Sequence, residues 1–445
     1  MGRKLSLRRI YKWIKEESFK KLIKNTVTLL IGDTGASIIN MISIMLILKI
    51  IGAEGYGIMV LIQTYALTID KLLNFQSWQA FIKYGAMALE EKDHNGFKKL
   101  IKQGTILDIS TAILGTLVAI LIVGIVGSYF NWNNSMILYS KLYSVVILFH
   151  FSGVPIGILR IYNKFKYFSI QKLAVSLVKL VGIIFAYFFK LDFYAILLIN
   201  LITDIIGHIL LIVIAYTVLH KNGISKWWNQ RVKIKNNFFY FALWTNLSST
   251  LTIPSKQLDV FIVSSVLSVE MVGIYKGFKQ IASMVGRLVN PIYQSIYPEL
   301  AAIIAKNDSR SAIKIAIKTS IIISIVIIPL IAISGLSSPL WLEILFGEAF
   351  AQNWFYFFVF LVYVGLDTLT APIHPLFNAL GYVKQKFFIM GLGNIVYLFL
   401  AWVLGTKFGL IGIINAWGGQ FLIITFMKII YIKESHFIKV GNTNV

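Results

Sequence analysis

The order of hydrophobic and basic segments constrains this chain more than any other feature of its sequence. Twelve hydrophobic stretches of about 18–30 residues are each long enough, at about 1.5 Å per residue, to cross a hydrocarbon core of about 30 Å. Lys and Arg concentrate in every second gap, whereas the gaps at 52–57, 128–135 and 335–350 hold none. The predicted spans are 27–51, 57–82, 104–127, 137–159, 168–189, 193–218, 239–266, 272–298, 315–335, 354–379, 387–405 and 409–431.

The charge of the gaps predicts the topology. Basic loops stay on the cytoplasmic side of a membrane, and both the first and the last tail of this chain are basic. Both termini are therefore expected in the cytoplasm, with Lys190 and Lys407 as exceptions in the outer gaps. A net charge of +23 beside a mean hydropathy of +0.76 is typical of a multi-pass protein of the cytoplasmic membrane.

The two halves of the chain repeat each other in one register. A shift of 216 residues aligns Gly57 with Gly273 and Lys71 with Arg287. Six spans per half, each half starting inside, indicate a parallel repeat about an axis along the membrane normal, and such repeats enclose a central site. The predicted organisation is a basic amphipathic tail, a six-helix bundle, a cytoplasmic linker, a second six-helix bundle and a cytoplasmic tail, at 1–26, 27–218, 219–238, 239–431 and 432–445.

Cations inside the predicted spans mark candidate functional positions, because charge is costly in hydrocarbon. Lys276, Lys279 and Arg287 follow one another at i, i+3 and i+11, a spacing that keeps them on one face of a helix. Such a face is expected to line a water-filled cavity that attracts anions, although Lys276 is also near enough to the surface to snorkel. The candidate substrate-binding residues are Lys71, Arg287, Lys256 and Lys279.

The intramembrane carboxylates and histidines allow structural and functional interpretations. Asp259, one turn from Lys256, predicts either an ion pair within the seventh span or a cavity group. Asp204 and His208 predict a packing pair, with a proton relay as the alternative, and His374 is interpreted, like Asp367, as a lone core group. The candidate cavity carboxylates, or coupling sites for Na⁺ or H⁺, are Asp33, Asp70, Asp259 and Asp367.

The sequence contains no enzyme motif. A Walker A run is absent, and the six histidines do not form an H-E-x-x-H pattern. The absence of cysteine excludes disulfides, thiolate catalysis and cysteine-based metal centres. We therefore predict no catalytic residue, no metal site and no cofactor, and we assign the basic loops to topology rather than to nucleic-acid binding.

Several segments resemble a known family. The segments 49–57 (KIIGAEGYG) and 74–79 (NFQSWQ) are similar to the first two spans of Wzx-type polysaccharide biosynthesis proteins. These proteins are flippases of O-antigen and capsule units within the multidrug/oligosaccharidyl-lipid/polysaccharide exporter superfamily. The segments 258–259 (LD), 269–275 (VEMVGIY) and 297–300 (YPEL) look like the family's seventh and eighth spans. The resemblance covers essentially the whole chain, through loose patterns rather than a catalytic signature.

The resemblance implies both a fold and a function. The implied fold is an all-α polytopic membrane protein, with twelve transmembrane helices in two pseudo-symmetric six-helix bundles around a central cavity. The implied function is alternating-access transport of polyprenyl-pyrophosphate-linked oligosaccharide from the inner to the outer leaflet. Family cavities are cationic, and the positions that fit here are Lys71, Lys256, Lys279 and Arg287. The implied partners are the lipid-linked glycan, membrane lipids and polysaccharide polymerase machinery.

Two other classes of function remain open on the sequence. One is a cation-coupled multidrug or metabolite antiporter of the same superfamily, but exporters of cationic drugs favour acidic cavities. The other is a membrane scaffold that transports nothing, which would not need repeat-related cations at depth. A lipid-linked peptidoglycan precursor is a substrate variant of the flippase interpretation.

Overall fold

The computed structural model describes residues 17–75, 77–231, 236–251, 253–304 and 308–441, so the first sixteen residues of the predicted tail lie outside it. Within these ranges the regular elements are helices, joined by short turns. They are α1 Glu17–Leu73, α2 Trp78–Glu90, α3 His94–Tyr129, α4 Asn134–Ser144, α5 Val146–Phe149, α6 Gly153–Ile161, α7 Phe165–Phe188, α8 Phe193–Lys221, α9 Asn236–Thr250, α10 Asp259–Val266, α11 Val269–Ile304, α12 Ser309–Leu336, α13 Ser338–Phe346, α14 Glu348–Gln352, α15 Trp354–Thr370, α16 Ile373–Ala379, α17 Val383–Phe408 and α18 Leu410–Gly441.

The first helix makes two passes because it bends at Gly52. The backbone there has φ 68° and ψ 179°, a conformation that an L side chain rarely adopts and that glycine adopts without steric cost. The two arms of α1 supply the first and second spans. A break that begins at Asn74 separates the second arm from α2, which continues the same pass.

Twelve helical passes result, as the sequence predicted. Nine helices of the described ranges have the length and hydropathy of a membrane span, and α1 among them contains two passes. The two further passes are the seventh, which is divided between α9 and α10, and the eighth, α11, which carries three cations. The protein is thus an all-α polytopic membrane protein with twelve transmembrane helices in two pseudo-symmetric six-helix bundles around a central cavity.

The two bundles meet at the end that carries the Gly52 bend, which the charge pattern predicts to be the outer end. Gly57 of α1 and Gly273 of α11 contact each other so closely that a Cβ on Gly57 would lie 1.9 Å from the Val269 carbonyl oxygen. A Cβ on Gly273 would lie 2.4 Å from the Ala53 oxygen. Because the sequence repeat aligns these same two glycines, their contact places them beside the repeat axis.

Aromatic side chains extend the contact between the bundles at the outer end. The Phe261 ring of α10 lies 5.2 Å from Phe130 and is stacked at 6.5 Å on Trp132, both of which follow α3. Tyr65 of α1 packs edge-on against Trp132 at 6.0 Å. The first and second bundles are therefore closed against each other at this end in the structure.

The seventh pass is divided between the two bundles. Pro254 begins a π turn, Pro254–Leu258, that separates α9 from α10. Proline lacks a backbone N–H, so the continuous series of α-helical backbone hydrogen bonds is interrupted at Pro254. Phe238 and Ala242 of α9 are buried with residues of the first bundle, whereas α10 packs on α11 and α17 of the second. The predicted cytoplasmic linker at 219–238, which would separate the two bundles, is not tested by this division and remains a prediction.

Candidate functional site

Four lysines from both bundles form a chain of electrostatic neighbours. Lys71 at the end of α1 lies within electrostatic range of Lys256 of the π turn and of Lys276 of α11, and Lys276 lies within that range of Lys279 one turn further along. Lys256 is exposed and the other three are partly buried. We call Lys71, Lys256, Lys276 and Lys279 the lysine cluster.

Asp70 and Asp259 lie within electrostatic range of lysines of this cluster, and Asp259 also forms an ion pair with one of them. Asp259 is fully buried at the first position of α10, where the positive end of the helix dipole favours a negative charge. Lys279 forms an ion pair with Asp259, and the hydroxyl groups of Tyr275 and Tyr397 donate hydrogen bonds to its Oδ2 at 2.7 and 3.4 Å. Asp259 therefore compensates the charge of Lys279. As one of two interpretations, the sequence predicted an ion pair of Asp259 with Lys256 in the same span, whereas the structure pairs Asp259 of α10 with Lys279 of α11.

The adjacent residues Asp70 and Lys71 face different parts of the protein. Asp70 faces the interior of the first bundle, where its Oδ2 lies 2.6 Å from His150 Nδ1 and its Oδ1 accepts a hydrogen bond from Asn74 at 2.9 Å. Lys71 lines a cavity of about 210 Å³ between α1–α2 and α9. Neighbours on a helix point about 100° apart, so one residue stabilises the bundle while the next reaches the cavity.

Arg287 lies in a different cavity from Lys71. It lines a space of about 470 Å³ together with polar residues of α1 and α7. On the first-bundle side of this space, Lys172 Nζ lies 2.5 Å from Asp33 Oδ1, and both side chains are nearly half exposed. At about 1.5 Å per residue, Lys71 and Arg287 each lie about 27 Å from the outer start of their pass. The repeat-related cations thus occupy similar depths but separate cavities.

The contacts among the polar side chains inside the first bundle were not predicted from the sequence. The rings of His150 and His208 lie 4.3 Å apart, and Tyr143 donates a hydrogen bond to Asp204 Oδ2 at 2.5 Å. The predicted packing pair of Asp204 and His208 is therefore wrong in its partners, because each residue contacts another helix. Asp108, fully buried, accepts hydrogen bonds from backbone N–H groups that follow the breaks in spans two and four. No spacing within one helix reveals contacts of this kind.

The second bundle contains a smaller polar group. His374 Nε2 lies 3.8 Å from Asp367 Oδ1, and its Nδ1 lies 2.6 Å from the buried Lys428 Nζ. The interpretation of Asp367 and His374 as lone groups is therefore wrong. In the described ranges, no three His, Asp or Glu side chains gather as a metal site would require.

The lysine cluster carries a net positive charge. Its four lysines outnumber Asp70 and Asp259, of which Asp70 pairs with His150 and Asp259 with Lys279. Ammonium groups bind phosphate oxygens through short, charge-assisted hydrogen bonds. The class defined by this fold is a two-bundle polytopic membrane protein.

Comparison with known families identifies the group within that class. The family described as "Polysaccharide biosynthesis protein" matches residues 22–304, well over half of the 445-residue chain. The chain belongs to this family, which confirms the resemblance in its sequence. A relative and a structural neighbour of the chain are named as a transporter and a flippase, which agrees with the prediction that the protein is not an enzyme.

Two curated proteins are similar to this chain. The "Inner membrane protein YghQ" of Escherichia coli (strain K12) is 20% identical over 292 residues, which cover 65% of this chain and 82% of that protein. A "Putative O-antigen transporter" of Shigella flexneri is 25% identical over 186 residues, which cover 42% of this chain and 44% of the relative. These likenesses support a multi-pass membrane protein.

Solved structures share the fold. An inward-facing transporter of the multidrug resistance MATE family matches with a TM-score of 0.75 at 13% identity, covering 93% of this chain and 98% of the other. The lipid II flippase MurJ, in an inward closed conformation, matches with a TM-score of 0.68 at 14% identity, covering 92% and 87%. At such identities the likeness establishes the fold alone.

Proposed function

We propose that the protein is a flippase that moves polyprenyl-diphosphate-linked oligosaccharide from the inner to the outer leaflet of the cytoplasmic membrane. The observation that carries the proposal is that lysines of both bundles lie where the bundles meet: Lys71 lines the cavity between α1–α2 and α9, and Lys279 pairs with Asp259 at the start of α10. Family membership and the fold shared with a lipid II flippase support the same class of cargo. Polysaccharide polymerase machinery is the proposed partner that receives the glycan.

The physical problem of such transport explains why a cavity is needed. The hydroxyl groups of a sugar lose their hydrogen bonds with water if they enter hydrocarbon, at a cost of about 2–7 kcal/mol for each hydroxyl group. A polar cavity that opens sideways lets the glycan cross while the lipid tail stays in the bilayer. The diphosphate carries the charge, and the lysine cluster supplies counter-charge at the depth where water is scarce.

Alternating access supplies the movement. The closed outer end leaves the lysine cluster to be reached from the cytoplasmic side, where both termini lie in the proposed topology. Rocking of the bundles would then open the outer end and close the inner one. A membrane potential that is negative inside assists outward movement of an anion by about 2.3 kcal/mol per charge per 100 mV.

The test is flipping by the purified protein in proteoliposomes. We expect Lys71→Glu and Arg287→Glu each to lower the rate at which lipid-linked oligosaccharide reaches the outer leaflet by at least about tenfold. Lys71 belongs to the lysine cluster, and Arg287 lines a second cavity at a similar depth that the diphosphate would pass on its way across the membrane. Lys407→Glu, an exposed charge at the end of α17, is the matched control and should flip normally.

Two results would count against the proposal. If Lys71→Glu and Arg287→Glu both flip at the wild-type rate, the cations do not act on the diphosphate. If the wild-type protein moves no lipid-linked oligosaccharide but exchanges an organic cation for Na⁺ or H⁺, the antiporter interpretation replaces the flippase.

A further inference from the structure

We propose that the cavity beside Lys71 binds the sugar ring attached directly to the diphosphate, and that Trp78 and Gln79 help to select it. This inference rests on the proposed function and adds a sugar subsite to it. The cavity is lined by Lys71, Asn74, Phe75, Trp78 and Gln79 from the first bundle and by Thr245, Asn246 and Ser249 from α9. We call it the sugar subsite.

The chemistry of the lining fits a carbohydrate. Aromatic rings bind the apolar faces of sugars, and Phe75 and Trp78 supply two of them. The guanidinium of Arg160 lies 4.2 Å from the centroid of the Trp78 ring, a cation–π contact that fixes the orientation of the indole. Gln79 and Thr245 add an amide and a hydroxyl group that can donate and accept hydrogen bonds.

The break in the second span explains why these groups are at membrane depth. Helix α1 ends at Leu73 and α2 begins at Trp78, so the segment between them is not held in a helix. Non-helical backbone within a membrane is tolerated where it lines a cavity or is buried in protein. Asn246 of α9 is buried and donates a hydrogen bond to the Leu72 carbonyl oxygen at 3.4 Å, which joins α9 to the end of α1.

The volume and charge of the sugar subsite limit what it can hold. A volume of about 210 Å³ suits one sugar ring rather than an oligosaccharide. The described lining residues include no carboxylate, and Lys71 is a cation. The subsite therefore suits a neutral, N-acylated or acidic sugar, and it disfavours a sugar with a free ammonium group because no lining group compensates that charge.

The position of Lys71 links the ring to the diphosphate. Lys71 both lines the sugar subsite and belongs to the lysine cluster. A diphosphate held by the cluster therefore has its attached sugar next to Trp78 and Gln79, while the remaining sugars extend beyond the subsite. Recognition of the first sugar then depends on α2 and α9, whichever glycan follows.

Binding to the full-length protein in nanodiscs tests the subsite. The two probes are farnesyl diphosphate and the same compound carrying one N-acetylglucosamine, measured by calorimetry. We expect Trp78→Ala to weaken binding of the glycosylated probe about tenfold and to leave farnesyl diphosphate unchanged. Trp78→Phe, which keeps an aromatic ring, should lose less, and Trp402→Ala, an exposed residue of α17, should lose nothing.

The outcomes separate the subsite from the proposed function. If Lys71→Met weakens both probes while Trp78→Ala weakens neither, or weakens both alike, the sugar subsite is overturned and the diphosphate site stands. If the wild-type protein binds neither probe, or if Lys71→Met changes neither affinity, the proposed function fails and the subsite fails with it. A loss confined to the glycosylated probe in Trp78→Ala supports the subsite.

Discussion

Asp259 illustrates how one buried carboxylate is stabilised at the centre of this membrane protein. Its charge is met by Lys279, by two tyrosine hydroxyl groups and by the start of α10. Such groups come from three helices, so the carboxylate joins α10, α11 and α17. A lone charge at this depth would be costly, and the four contacts explain how it persists.

We predict that Asp259→Asn lowers the free energy of unfolding by about 3–5 kcal/mol, because it leaves the partly buried Lys279 without its counter-charge. Thermal unfolding in detergent measures the loss. The double variant Asp259→Asn/Lys279→Met should recover most of the stability. Asp33→Asn, which removes the partner of the nearly half-exposed Lys172, is the control and should cost less than about 1 kcal/mol. A double variant no more stable than the single one would contradict the pairing.

Part of the residue-level site follows from the sequence and part does not. The angle of about 100° between the directions of Asp70 and Lys71 follows from helix geometry alone. The partner of Asp259 does not, because the choice between Lys256 and Lys279 depends on the π turn and on the packing of α11 against it. The roles of Lys71, Lys256, Lys279 and Arg287 in binding remain predictions.

At the level of elements, the divided spans distinguish this structure from twelve plain helices. The second, fourth, seventh and tenth passes are each interrupted, at breaks next to residues such as Asn74, Ser152, Pro254 and Pro372. The freed backbone groups find partners; the Leu251 carbonyl oxygen, for example, accepts a hydrogen bond from Asn394 at 2.6 Å. Hydropathy predicts that a segment spans the membrane, because a spanning segment must be apolar along its length. Hydropathy does not predict where the helix within that segment is interrupted.

The π turn at Pro254 predicts a hinge in the seventh span. We expect Pro254→Ala to restore helical hydrogen bonds, raise the melting temperature and slow flipping by about tenfold, a barrier increase of about 1.4 kcal/mol. Pro329→Ala is the matched control, since Pro329 lies inside the continuous helix α12 and should leave the rate unchanged. Equal rates for wild type and Pro254→Ala in proteoliposomes would exclude a hinge at this turn.

At the level of the whole molecule, the sequence predicted the architecture well. The repeat of 216 residues aligned Gly57 with Gly273, and the structure brings these two residues into contact. The twelve hydrophobic stretches predicted the number of passes, because the hydrocarbon thickness that sets their length is a property of the membrane and not of the tertiary contacts. The sidedness that the basic gaps indicate remains a prediction. Which end is closed could not be predicted, because one sequence encodes both states of a rocking transporter.

The close approach of Gly57 and Gly273 predicts that a larger side chain at Gly57 shifts the protein from the closed towards the open outer end. Gly57→Ala should force the bundles apart at the outer end, because its Cβ would lie 1.9 Å from the Val269 oxygen. The chain has no cysteine, so Thr68→Cys, buried between the bundles, can report access through a membrane-impermeant thiol reagent added outside. We expect Thr68→Cys to be labelled at least about tenfold faster in the protein that also carries Gly57→Ala than in the protein that carries Thr68→Cys alone.

Gly286→Ala is the control for this experiment. Gly286 belongs to the same helix as Gly273, but a Cβ there meets no atom within 4 Å. Its labelling rate should match the background. If Gly57→Ala also labels at the background rate, the glycine contact does not keep the outer end closed.

The contact between Gly57 and Gly273 also bears on how such a chain arises. Two equivalent positions that touch each other are what an isologous interface produces, in which the same surface patch is used on both sides of a two-fold axis. Each six-helix half therefore carries, around its glycine, a surface that is complementary to its own copy. The present molecule therefore has the form of a symmetric pair of subunits joined in one chain, with its lysines distributed unequally on the two sides of that interface: Lys71 lies on one side, and Lys276 and Lys279 lie on the other.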